Sequence, residues 1–213
     1  LDWHADENEY RRAKHRIFDQ AKAMVVNRDE VDCGRSVPTD LPRISFGLST
    51  PGDDQFGLIR HAGSDYLAHG EKRLLPVDEI AMMGRHNYAN ALAALAACEL
   101  IGLPTPPSLD VLRTFRGLPH RMQFVRELGG VRYVNDSKAT NVGATIASVL
   151  AVDGPVILLA GGQGKGGDFE ALADATKNCL HTVVAYGEDA DALDSAFTGK
   201  VPVVRTRTLV QAL

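Results

Sequence analysis

Val156-Ile157-Leu158-Leu159-Ala160-Gly161-Gly162-Gln163-Gly164-Lys165-Gly166-Gly167-Asp168-Phe169 is an apolar run that stops in glycine and restarts at an acid. Unbroken apolar residues over 156–160 predict a short buried strand, and Asp168 ahead of Phe169 predicts a helix start. The same alternation continues downstream. A helix is expected over 169–180, a strand over 182–186, a helix over 189–196, a strand over 201–205, and a further helix from Thr208. Upstream, strands over 122–128 and 131–135 turn at Gly129-Gly130, and a helix covers 142–151. Strand–helix alternation implies parallel strands with crossover helices, so residues 117–213 are expected to be a doubly wound α/β domain.

Gly117-Leu118-Pro119 marks the boundary to a first domain, 1–116, of different texture. A helix is expected over 6–23, with Ile17, Phe18 and Ala21 on one side and Asp6, Glu7 and Glu9 at the positive end of its dipole. A short buried strand follows over 23–27. Short candidate strands between 44 and 80, split by Gly, Pro, Ser and Asp, predict a stretch of hairpins. The strongest helix covers 85–101 and closes at Gly102 and Pro104; a shorter one covers 109–115 after a Ser108 cap. Both ends of the chain read as cuts.

Composition narrows the function classes. The 213 residues carry 23 basic and 27 acidic side chains, a net charge of −4, so there is no cationic excess to neutralise nucleic-acid phosphates. Apolar residues make up 45%, enough for packed cores, yet no apolar run reaches membrane-spanning length. Cys33, Cys98 and Cys179 are odd in number and widely spaced, which suits a reducing cytoplasm better than a disulfide framework or a zinc site.

Four segments carry candidate chemistry. The glycine loop after Ala160 presents backbone N–H groups and a helix N-terminus to an anion. Gly162, Gly164 and Gly167 satisfy the dinucleotide fingerprint, with Glu188 and Asp189 ~20 residues on. A tight turn explains the same glycines. Lys165 favours a carboxylate partner over a pyrophosphate, and no Walker A loop occurs anywhere. Asn135-Asp136-Ser137-Lys138-Ala139-Thr140-Asn141 follows a strand and leads into a helix, where open α/β sheets bind ligands. A helix cap needs one such residue, not an acid, a lysine and two hydroxyls together. Asn87 and Asn90 share one helix face, and paired amides can read an adenine edge. Arg121 follows the boundary and could fork onto a phosphate. Pattern alone gives Lys14 no role beyond a solvated cation.

Taken in order, YRRAK around Lys14, GRHNYANALAALA from Gly84, GLPHR from Gly117 and NDSKATN from Asn135 resemble the Mur ligase family of peptidoglycan synthesis. The resemblance runs along nearly the whole chain and is weakest over 30–75. NDSKATN is its most specific element; with GLPHR it points to the family's D-glutamate-adding member. The resemblance implies the C-terminal part of a P-loop-type central ATPase domain followed by a Rossmann-like C-terminal domain. The Walker A loop, a magnesium-binding Glu and a metal-binding His would precede Leu1, and a Ser-rich segment would follow Leu213. It implies ATP-dependent addition of D-glutamate to UDP-N-acetylmuramoyl-L-alanine through an acyl phosphate, with ATP and Mg²⁺, in a bacterial cytoplasm, by a monomer that uses neither nucleic acid nor membrane.

Carried over by position, Lys14 corresponds to a carbamylated lysine that helps hold Mg²⁺, overriding its solvated reading. Asn87 and Asn90 correspond to the pair near adenine. Arg121 and Asp136 correspond to residues at the ATP phosphate and ribose. Lys138, Thr140 and Lys165 correspond to positions around D-glutamate and the reacting carboxylate. Lys14, Arg121 and Lys138 form the implied catalytic set. Gln163 departs mildly from the family's GGDGK or GGxxK. A nicotinamide-dependent dehydrogenase built on Gly162, Gly164 and Gly167 is the rival enzyme; it leaves NDSKATN and the Asn pair unexplained. Another Mur-type amino acid ligase is a nearer alternative. For the 213 residues alone, the expectation is an inactive ligand-binding remnant.

Overall fold

The computed structural model describes residues 3–30, 40–82, 84–162 and 166–213, and these form two compact units, Leu1–Arg116 and Gly117–Leu213.

The first unit opens with α1 (Glu7–His15). Asp6 caps it by accepting from the Glu9 N–H at 2.7 Å, and Glu9 reaches back to accept from the Ala5 N–H at 2.6 Å. The expected helix over 6–23 is cut short: a 3-10 turn, Arg16–Phe18, ends it and leaves Ile17 75% exposed. The apolar residues sit together in that last turn, so α1 has no apolar stripe with which to continue along a core.

One sheet follows, in the order β1 (Met24–Asn27), β2 (Arg43–Phe46), β3 (Gln55–His61), β4 (Ser64–His69), β5 (Lys72–Pro76). The 44–80 stretch is only partly hairpins: β1, β2 and β3 run parallel, and β3, β4 and β5 form an antiparallel meander. Of the strand expected to be buried over 23–27, only Met24 is fully buried. α2 (Arg85–Leu100) lies against β1, β2 and β3. Its Ala91, Leu92, Leu95 and Ala96 form one stripe, packed with Phe56, Leu58, Leu67 and Leu75 and flanked by Val25, Ile44 and Phe46. Gly102 at φ 73° ends α2 in a Schellman turn: its N–H donates to the Glu99 carbonyl and that of Leu103 to the Cys98 carbonyl, both at 2.9 Å. α3 (Thr105–Thr114) starts four residues before the predicted start, because Pro104 to Pro107 suit a first helical turn. Ser108 is therefore inside the helix, its hydroxyl donating to the Pro104 carbonyl at 3.2 Å.

Arg28 secures the end of β1. Its guanidinium donates to the carbonyls of Phe56 at 2.6 Å and Ser49 at 2.7 Å and to the Ser49 hydroxyl at 3.2 Å. Burial pulls this group below the ordinary arginine range, and Asp29 opposes the shift. A side chain at Gly57 would meet the Ser49 carbonyl at 2.5 Å, so glycine is needed where that loop crosses β3.

The second unit begins with β6 (Gln123–Leu128) and β7 (Val131–Asn135), an antiparallel pair whose turn, Gly129-Gly130, has φ of 58° and 79°. After α4 (Val142–Leu150) come β8 (Val156–Gly161), α5 (Phe169–Thr176), β9 (Leu180–Tyr186), α6 (Ala190–Phe197), β10 (Val203–Arg205) and α7 (Leu209–Ala212). The sheet is parallel, in the order β10-β9-β8, with β6 and β7 apart from it. Val183, Ala185, Leu172, Leu193 and Phe197 centre its core. The strand read as buried over 156–160 is so on one face: Val156, Leu158 and Ala160 pack inward, and Ile157 is 53% exposed.

Candidate active site

The loop before β6 and the loop after β7 are tied together. The Lys138 N–H donates to the His120 carbonyl at 3.1 Å, and the Asn135 side-chain amide meets His120 Nδ1 at 3.1 Å. The Asp136 carboxylate accepts from the Met122 N–H at 3.0 Å through Oδ1 and from the Ser148 hydroxyl of α4 through Oδ2. This interlock brings Arg121, Asp136 and Lys138 to one region of the second unit. Arg121 is exposed and stands between two non-glycine residues in the left-handed region, His120 at φ 64° and Met122 at φ 42°. Such backbone costs about 1–2 kcal/mol per residue and persists only where the surroundings hold it. Met122, only 7% exposed, is the anchor.

Asp136 is half-buried, and each carboxylate oxygen already accepts one protein hydrogen bond. The remaining lone pairs are what it has for a ligand hydroxyl. Lys138 and Thr140 are exposed, and Thr140 is turned by its N–H donating to the Lys138 carbonyl at 2.9 Å. Asn141 ends the segment as the α4 cap, accepting from the Ala144 N–H at 2.8 Å. The segment is thus a cap and a site at once.

Lys165 lies outside the described residues, as do Gln163 and Gly164. The flanks of their loop are described. A side chain at Gly161 would overlap the Tyr186 carbonyl, and the Asp189 N–H donates to the Gly162 carbonyl at 3.2 Å. Gly161 therefore serves the close approach of β8 to the end of β9, and Gly162 the left-handed backbone at φ 107° that follows; neither needs a nucleotide fingerprint to explain it. Asp168 caps α5 through the Ala171 N–H at 3.0 Å.

In the first unit, Asn87 and Asn90 share a face at the start of α2, the Asn90 amide donating to Asn87 Oδ1 at 3.0 Å. Lys14 is exposed on α1, its ammonium 5.6 Å from the Tyr10 ring, and that ring meets His4 edge-on at 5.5 Å. No cluster of three or more His, Cys, Asp or Glu suited to a metal occurs among the described residues. A hard cation takes about six oxygen ligands, and Lys14 becomes an oxygen donor only as a carbamate. These residues do not by themselves fit a Mg²⁺ site.

Two participants escaped sequence reasoning. His120 and Ser148 act through bonds to residues 15 and 12 positions away. Nothing local distinguishes them from an ordinary loop histidine or helix serine.

Residues 1–98 match the Mur ligase middle domain and residues 120–212 the Mur ligase glutamate ligase domain. The whole chain is 46% identical to UDP-N-acetylmuramoylalanine--D-glutamate ligase of Legionella pneumophila strain Paris, and covers 49% of that protein. It is 45% identical to the protein of the same name from Pseudomonas aeruginosa, over 96% of this chain and 47% of the relative. The chain thus spans about half the length of the curated relatives it matches. Among solved structures, MurF from Acinetobacter baumannii aligns over 97% of the chain and 48% of its own with a TM-score of 0.67 at 20% identity. Folylpolyglutamate synthase from Thermotoga maritima aligns over 98% and 53% with a TM-score of 0.70 at 16% identity. Among the described residues, no helix is long and apolar enough to cross a membrane.

Proposed function

The chain belongs to the Mur ligase family, and from that premise we propose that it is part of a bacterial ligase joining D-glutamate to UDP-N-acetylmuramoyl-L-alanine with ATP. The observation that carries the reading is the interlock of the 117–122 and 135–141 segments, which gathers Arg121, Asp136 and Lys138.

In the proposed reaction an L-alanine carboxylate oxygen attacks the γ-phosphorus of ATP. The bond to the ADP oxygen breaks, and an acyl phosphate forms. The neutral amine of D-glutamate then attacks the acyl carbon, loses a proton, and phosphate leaves with its bonding pair. Oxide is a poor leaving group and phosphate a good one, so ATP supplies the leaving group. What remains for the protein is positioning and neutralisation of anionic oxygens.

Arg121 offers a forked pair of N–H groups to phosphate oxygens. The free lone pairs of Asp136 suit a ribose hydroxyl. Lys138 and Thr140 face the reacting carboxylate and D-glutamate, and Lys165 pairs with a D-glutamate carboxylate. Asn87 and Asn90, mutually oriented by their hydrogen bond, address the adenine edge. A carbamate on Lys14 would supply one oxygen donor toward Mg²⁺. The mature location is the bacterial cytoplasm and the state a monomer. The 213 residues alone, lacking a Walker A loop, are proposed to turn over no ATP.

Lys165→Ala in the full-length enzyme tests the assignment through coupled phosphate release. The apparent KM for D-glutamate is expected to rise ~10- to 100-fold, the loss of one charge-assisted carboxylate contact, with little change in the KM for ATP. Equal losses for both substrates would remove Lys165 from the D-glutamate site.

A further inference from the structure

We propose that His120 is a further positioning residue of this site: Asn135 fixes its ring as the neutral tautomer protonated on Nε2, and that ring ties the Arg121 loop to the Lys138 loop. The inference deepens the functional reading above and rests on it for the link to ATP, but not for the tautomer.

Oxygen and nitrogen of an asparagine amide must be assigned from their partners. Here the partner is unambiguous. The Ser137 N–H can only donate, and it lies 3.0 Å from Asn135 Oδ1. The NH₂ group is therefore the end that faces His120 Nδ1 at 3.1 Å. An NH₂ group has no lone pair to offer, so Nδ1 must accept. In a neutral ring the proton then sits on Nε2. Protonation of Nδ1 would set N–H against N–H and break the tie.

The ring edge bearing Nε2 has no partner among the described residues. The backbone of His120 is equally committed. Its carbonyl accepts from the Lys138 N–H at 3.1 Å, and its own N–H donates to Gln123 Oε1 at 3.0 Å. A left-handed residue held at three points beside Arg121 sets where that side chain departs from the loop. The ring bond is the only one of the three that a side-chain substitution at 120 removes.

Two measurements test this. In the ¹⁵N-histidine-labelled chain, the resonances lost in His120→Asn identify the ring among the seven histidines. They are expected to show a bare, accepting Nδ1 and a protonated Nε2 at neutral pH, and Asn135→Asp is expected to move the proton to Nδ1. In the full-length enzyme, His120→Ala is expected to raise the KM for ATP about fivefold with kcat within about twofold, the factor for one net hydrogen bond shared by ground and transition states. His120→Asn, whose Oδ1 can accept near the place of Nδ1, is expected to restore most of it. Signals averaged over both tautomers, or an Asn variant no better than Ala, would overturn the proposal. A fixed tautomer in an enzyme that does not ligate D-glutamate would instead overturn the functional reading and leave the ring assignment standing.

Discussion

Asp136 joins three parts of the second unit: its own loop, the N–H of left-handed Met122 and the hydroxyl of Ser148 on α4. The bond to Met122 helps hold a backbone that would otherwise relax, and Ser148 keeps the carboxylate turned toward it. Ser148→Ala is expected to destabilise the unit by about 1 kcal/mol, the net worth of one hydrogen bond, and to weaken ATP use. Urea unfolding and the KM for ATP measure the two effects; unchanged values for both would detach Ser148 from the site. In the sequence, Asp136 and Lys138 stand out because their segment contains more functional groups than a turn or cap requires, and Arg121 because it directly follows the domain boundary. Ser148 and His120 do not, since a hydrogen bond across 12 or 15 residues leaves no periodic trace.

α2 was the most legible element: its Ala- and Leu-rich stripe and closing Gly102 fix both the buried face and the end. α1 was the least, because three apolar residues near its end imitate a stripe that the earlier turns lack. The strands over 44–80 were visible, but not that β2 and β3 run parallel, since direction depends on where the connecting chain crosses. Arg28 supplies part of that answer. Its carbonyl partners at Ser49 and Phe56 lie on the β2–β3 connection and β3. Arg28→Lys keeps the charge and loses the fork, leaving carbonyls short of donors. A loss of roughly 1–3 kcal/mol is expected in denaturant unfolding of the first unit. In the second unit, Lys200 joins Glu170 and Asp174 of α5 at 2.7 and 3.2 Å. Its hydrogen bond to Glu170 raises the Lys200 pKa, and the hydrogen bond from Lys200 holds Asp174 below the usual carboxylate range. Asp174's contribution is therefore present at neutral pH and lost as pH falls through its lowered folded value. That of Lys200 is present below the ordinary lysine range and lost as pH rises through its raised one. Lys200→Met should flatten the stability–pH curve at both ends; a curve parallel to the parent's would contradict the linkage.

At the scale of the molecule, each unit encloses its own apolar cluster, one around α2 and the first sheet, the other around β9. Calorimetry of the chain is expected to resolve two unfolding transitions, and residues 117–213 alone should reproduce one of them. A single two-state transition would refute independent cores. Strand–helix alternation made the second unit's class legible, while the separation of β6 and β7 from the parallel sheet was not, because pairing partners are chosen by packing rather than by composition. The manner in which the site loops are joined also bears on how mutational data from this protein should be interpreted. Lys138 is tied in by its main-chain amide and Arg121 is set by its neighbours, so neither ammonium nor guanidinium supports the scaffold it stands on. Swapping those two side chains removes charge while the framework stays in place, so kinetic losses there report on what the two charges contact rather than on collapse of the loops.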